Sequence, residues 1–200
     1  MHDKEIKTAD YQKAEAFILG CLQKELSTDL AYHGYHHTLD VMNAAMNIAA
    51  FENLSTDEIA LLRVAVAFHD SGFIYTHKNH EEKGCRLAEE YLPGFHFTPE
   101  QTAAVCSMIM ATKIPQQPKT RLESILCDAD LDYLGREDAV SIAHTLFLEQ
   151  KLHIKNLDEK SWDEMQIGFL RTHQYHTSYS LAHRDAGKQA YLQMLLRKWQ

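Results

Sequence analysis

Thirteen of the 200 residues are histidine, the commonest metal ligand and the side chain whose charge changes near neutral pH. Their placement says more than their number. His33 and His37 stand four apart, so on one helix their imidazoles would share a face, one turn apart in height. His36, one step from His37, would point about 100° away. The doublet His69-Asp70 follows directly on the most apolar stretch of the chain, Val64 to Phe68. An imidazole and a carboxylate buried there are costly unless a metal or a charged partner compensates. A third cluster, Asp128-Ala129-Asp130, interrupts the apolar run from Leu122 to Leu134. Carboxylates two apart cannot share a helix face, so at most one of them joins a common site. Imidazole and carboxylate without thiolate suit a divalent cation, and the residue types leave open whether it is Mn, Mg, Fe, Co, Ni or Zn.

The elements that must hold these groups read as helices. Apolar residues recur at three and four, as in Tyr11, Ala14, Phe17, Ile18, Cys21 and Leu22, and strand-like alternation is scarce. The spacing predicts helices over about 35–51, 80–91, 121–134, 137–152, 162–174 and 181–199. Ser55-Thr56-Asp57-Glu58 has capping-box spacing and should open a helix that runs to about Phe68 and stops near Ser71-Gly72. Thr98-Pro99-Glu100-Gln101 should open another to about Thr112, and Ser161-Trp162-Asp163-Glu164 a third. Pro115 and Pro118 force a loop. The expectation is an all-α, single-domain chain of about eight helices covering 1–200, with Trp162 and Trp199 as packing residues.

Composition bounds the function. Acidic residues number 28 against 20 basic, a formal charge of −8, which argues against polymeric nucleic acid, whose affinity comes from neutralised phosphates. No apolar run approaches the roughly 18 residues of a membrane span. The four cysteines are scattered without a C-x-x-C pair, and the start MHDKEIKTADYQK carries no secretory apolar segment. The expectation is reduced thiols in a cytoplasmic protein. Oligomeric state is not readable.

In chain order, the segments Tyr32-His33-Gly34-Tyr35-His36-His37-Thr38-Leu39-Asp40-Val41, Ala67-Phe68-His69-Asp70-Ser71-Gly72 and Asp128-Ala129-Asp130-Leu131-Asp132-Tyr133-Leu134-Gly135 resemble the HD-domain superfamily of metal-dependent phosphohydrolases. The likeness spans about 32–135. It implies a compact helical fold and a divalent metal held by His37, His69, Asp70 and Asp130, with Asp130 preferred to Asp128 because the family's aspartate directly precedes a leucine step. The first segment is also similar to the Tyr-His-x-x-x-His-x-x-Asp-Val stretch of cyclic-nucleotide phosphodiesterases. There the earlier histidine protonates the leaving oxygen, a role that would fall on His33, with Asp70 the second catalytic residue. The implied reaction is hydrolysis of a phosphate ester, of a nucleotide or a similar small phosphorylated metabolite, by a metal-activated water.

Other readings remain beside it. In binuclear relatives, histidines after the doublet bind a second metal, and His80 resembles one of them. Its counterpart is missing, because the following segment reads Met110-Ala111-Thr112-Lys113. A di-iron oxygenase on the same scaffold would need two more nitrogen ligands, and a non-catalytic nucleotide sensor would bind without turnover. Asp128 and His80 are candidates for a second metal or for substrate. Lys113, Arg171 and Arg184 are candidates for phosphate contact, and His173 and His176, in the polar stretch 173–179, for lining the pocket rim.

Overall fold

The computed structural model describes residues 8–199, which form ten α-helices: α1 (Tyr11–Glu25), α2 (Tyr35–Phe51), α3 (Thr56–Phe68), α4 (His80–Tyr91), α5 (Pro99–Ala111), α6 (Arg121–Asp130), α7 (Ala139–Gln150), α8 (Glu159–Thr172), α9 (Ser178–His183) and α10 (Asp185–Lys198). Short 3-10 turns occupy Ser71–Ile74, Leu92–Phe95 and Asp132–Gly135. The all-α expectation holds, and no strand occurs among the described residues. No helix among them is long and apolar enough to cross a membrane. All four cysteines are free.

Helix starts follow local chemistry. Ser55 with Glu58 and Thr98 with Gln101 make reciprocal capping boxes at α3 and α5, each satisfying two backbone N–H groups that a helix start leaves unpaired. Thr120 and Glu123 make a third at α6. At α8 the expected box at Ser161 is displaced. Asp158 caps instead, its carboxylate accepting from the Ser161 N–H at 2.8 Å, because an ionised oxygen is the stronger acceptor and sits where the chain is still extended.

α3 is the central helix. Leu62 and the unbroken run Val64 to Phe68 are fully buried, packed between α1, α2 and α5, each larger side chain contributing about 1.5–3 kcal/mol on transfer from water. Around it lies the larger core, and a second apolar cluster gathers Tyr32, Leu131, Tyr133, Leu134, Leu170 and Tyr191. The histidine and aspartate clusters fall where the two cores meet.

Two expected helices are interrupted, both by contacts distant in sequence. The segment expected to run to Leu134 leaves helical geometry after Asp130, and the turn beyond it is held by buried Asp132, which accepts from Arg184 Nε at 2.7 Å. The last expected helix divides at the same Arg184, which ends α9 and precedes α10. Neither break has a local signal.

α3 stops where the fold needs a tight passage. Ser71 Oγ donates to the Phe68 carbonyl at 2.7 Å, capping an orphaned acceptor, and the 3-10 turn then runs against the start of α4. A Cβ on Gly72 would lie 1.9 Å from the His80 carbonyl oxygen, so this approach requires glycine. Gly72→Ala should therefore lower unfolding stability by about 1–3 kcal/mol, read as a shifted urea midpoint. A midpoint equal to that of the natural protein would contradict the close packing of the turn on α4.

Candidate metal centre

Four side chains from three places in the chain converge between the cores. His37 stands on the first turn of α2, after the Gly34 N-cap. His69 is the C-cap of α3, and Asp70 is the next residue, opening the 3-10 turn. Asp130 is the last residue of α6, which packs along α2. His37 Nε2 lies 3.1 Å from Asp130 Oδ1 and 3.5 Å from Asp70 Oδ2, and His69 Nε2 lies 3.2 Å from Asp70 Oδ2 and 3.6 Å from Asp130 Oδ1. Donor atoms bound at about 2.0–2.2 Å to one cation stand roughly 3–3.6 Å apart, and the four imidazole–carboxylate distances fall in that range. Ligand atoms of His37, His69 and Asp70 fall within 4.8 Å of one another.

The donors are also prepared for a cation. His69 Nδ1 contacts the Val66 carbonyl at 2.7 Å, so it carries the proton and donates, and Nε2 faces the centre. A backbone acceptor behind the ring is how metal-ligating imidazoles are oriented. His69 Nε2 and Asp70 Oδ2 are buried and have no hydrogen-bond partner, a costly state for two polar atoms unless something occupies the space between them. Burial works against the charge on His69, but the Asp70 and Asp130 carboxylates outweigh it and raise its pKa well above the usual imidazole value. Burial likewise opposes the charges on Asp70 and Asp130, and the neighbouring imidazoles pull both below the ordinary carboxylate range. The centre is thus a negative cavity that calls for positive charge. Asp130 adds to that demand by placing a carboxylate at a helix C-terminus, the end at which the helix dipole disfavours anions.

His33 and His37 do not share a helix. His33 precedes the Gly34 cap, and the chain at Tyr32-His33 is tied down by Glu149 at the end of α7. Glu149 Oε2 accepts both the Tyr32 and His33 N–H groups at 2.9 and 3.0 Å, and Oε1 takes His33 Nδ1 at 2.5 Å. Burial opposes charge on His33, and the Glu149 bond overcomes it and raises the pKa. Phe73 lies beside both the His33 and His80 rings at centroid distances of 4.2 and 4.0 Å, and those two rings are 6.1 Å apart. His80 Nε2 sits 3.6 Å from both Asp70 Oδ1 and Glu81 Oε1. Asp70 therefore presents one oxygen to the four-donor centre and the other to His80.

Glu149, Glu81 and Phe73 were not picked out as site residues from sequence. Glu149 had a signal, since it continues the inward stripe of Ile142 and Leu146 at three and seven positions, where a carboxylate is unexpected.

Other candidates fall elsewhere. Asp128 is turned away, its carboxylate accepting from the N–H groups of His176 and Thr177 and from Thr177 Oγ1, so it anchors the start of α9. Lys113 is paired with Glu82. Arg171 and the His176 side chain are exposed, and neither lines the cavity above the centre. His173 packs beside Tyr175 and Phe169, with burial pushing its pKa down to about 4.

The family model for the HD domain matches residues 34–132, the stretch that carries all four converging donors. The chain belongs to the HD-domain superfamily. This HD protein is similar in fold to a Lactobacillus plantarum protein at 15% identity, with 94% of this chain and 97% of that one covered and a TM-score of 0.66. It is similar as well to a predicted HD superfamily hydrolase from an uncultured Thermotogales bacterium, at 22% identity, 94% and 92% coverage and a TM-score of 0.54. No curated protein matches the sequence.

The two aspartates of α6 separate in experiment. Asp130→Asn should abolish metal retention, measured by elemental analysis after dialysis. Asp128→Asn should keep the metal but lose about 1–3 kcal/mol of stability, because an amide N–H2 would face donors that need an acceptor. The opposite pattern would reverse the roles given to the two residues.

Proposed function

We propose that this HD protein is a metal-dependent hydrolase of small phosphate esters, with His37, His69, Asp70 and Asp130 as the metal ligands. The observation that carries the reading is the convergence of those donors, His69 and Asp70 with unpartnered atoms, beneath a cavity that Asp70 and Asp130 line together with His33. A divalent ion in such a site supplies Lewis acidity at the phosphoryl group and lowers the pKa of a water to the neutral range.

The chain's own residues do the rest. Glu149 holds His33 Nδ1, which leaves Nε2 as the nitrogen that can give a proton to the departing oxygen. The same carboxylate favours the imidazolium, the form that has a proton to give. Phe73 fixes the ring plane from one side. Asp70 Oδ1, His80 and Glu81 form a second group of donors next to the first, suited to a further cation or to ordering substrate.

The His33–Glu149 pair favours hydrolysis over ligand sensing, since a binding module has no use for a positioned proton donor. Of the additional nitrogens an oxygenase centre would need, the structure brings only His80 to Asp70 among the described residues.

Replacing His33 by alanine tests the assignment. Metal content should stay intact, while hydrolysis of an alkyl phosphate slows by about 10²–10⁴-fold. p-Nitrophenyl phosphate, whose leaving group needs little protonation, should lose much less. Equal losses on both esters, or loss of the metal, would overturn the general-acid role.

A further inference from the structure

The cavity above the centre has a volume of about 450 Å³, within the range of small-molecule sites. Its outer wall is unusual for a phosphate site. Trp162, Met165, Gln166, Phe169 and Leu170 all line it, positions that form one continuous face of α8. Helix α8 thus turns four apolar side chains towards a cavity that runs down to Asp70 and Asp130, while Gln166 Oε1 is engaged by the Tyr191 hydroxyl. Leu146 of α7 and Ile114 also line the cavity. Ile114 and Met165 are 54% and 49% exposed, apolar surface left wet at the mouth of the cavity. Trp162 packs on Phe147 at a centroid distance of 6.0 Å, so the wall is backed by core and does not collapse.

The charges are equally informative. No lysine or arginine lines the cavity among the described residues, and its anionic side chains are Asp70, Glu81 and Asp130. The nearby cations are engaged by carboxylates: Lys113 by Glu82, Arg136 by Asp40 and Asp138, and Arg184 by Asp132. A phosphoryl group beside a divalent ion has its charge met there and by His33, but a second or third phosphate would extend past Asp70, Glu81 and Asp130 along a wall that offers it no lysine or arginine.

Resting on the phosphoester reading above, we propose that the substrate carries a single phosphate on a largely apolar, ring-sized organic group that packs against the inner face of α8. Nucleoside triphosphates and bare sugar phosphates fit this cavity poorly, the former for want of lysine or arginine and the latter because a small hydroxylated group leaves the Trp162, Met165, Phe169 and Leu170 face unfilled.

The test uses the full chain loaded with Mn²⁺. Phosphate release is measured from 2-(1-naphthyl)ethyl phosphate, whose leaving group is a primary alkoxide like that of ribose 5-phosphate, from ribose 5-phosphate and from ATP, and calorimetry compares binding of phenylphosphonate with that of methylphosphonate. The expected result is kcat/KM at least about tenfold higher for the naphthyl ester than for ribose 5-phosphate, no preference for ATP, and tighter binding of the phenyl compound. Met165→Glu should reduce the naphthyl-to-ribose ratio by about tenfold, whereas Met194→Glu, similarly exposed on α10, should leave the ratio unchanged. Equal or better turnover of ribose 5-phosphate or ATP would overturn the apolar-substrate proposal and leave phosphoester hydrolysis standing. Preferential phenylphosphonate binding without hydrolysis of any ester would uphold the apolar cavity and overturn the hydrolase reading. No binding and no turnover would overturn both.

Discussion

Two carboxylates, Asp70 and Asp130, are held within hydrogen-bonding reach of two imidazoles at the seam between the larger core and the smaller one. Everything else in the site is arranged around that excess of buried negative charge. Unbalanced, it would cost several kcal/mol per ion, and the protein spends the stability of its most apolar helix, α3, to keep the doublet in place. The first turn of α2, the C-terminal end of α3 and the C-terminus of α6 each deliver one or two donors, so all four groups sit at ends of packed helices rather than on free loops. Such positions are precise because the helix behind each is locked by packing.

The same arrangement explains how chemistry and recognition are divided. Below, the polar floor is crowded with His33, His80, Asp70, Glu81 and Asp130, with Phe73 packed against both imidazoles. Above, α8 supplies an apolar wall. Under the proposed function a reacting group is handled at one end while the bulk of the substrate packs at the other, and binding energy gained on the wall is available to position the reacting centre.

Much of the centre was legible in the sequence because its residues announce themselves locally. A histidine near a helix start, a His-Asp doublet behind an unbroken apolar run and an aspartate inside a second run are all visible without a structure, as are the capping boxes of α3 and α5. What stayed hidden depends on partners far away. Glu149 reaches His33 across 116 positions, Arg184 reaches Asp132 across 52, and the roles of Asp128 and Asp130 diverge only once the backbone N–H groups of His176 and Thr177 close on one of them. Trp162 read as a packing residue, which it is, and its second role on the cavity wall follows from the placement of α7 against α8.

The central claim is that four donors define one cation site. The most direct measurement is anomalous diffraction from crystals equilibrated with Mn²⁺, collected at the manganese edge. The account predicts a peak enclosed by His37 Nε2, His69 Nε2, Asp70 and Asp130, at about 2.0–2.3 Å from each donor atom. A crystal saturated with Mn²⁺ that shows no peak there, or one that excludes Asp130, would contradict it.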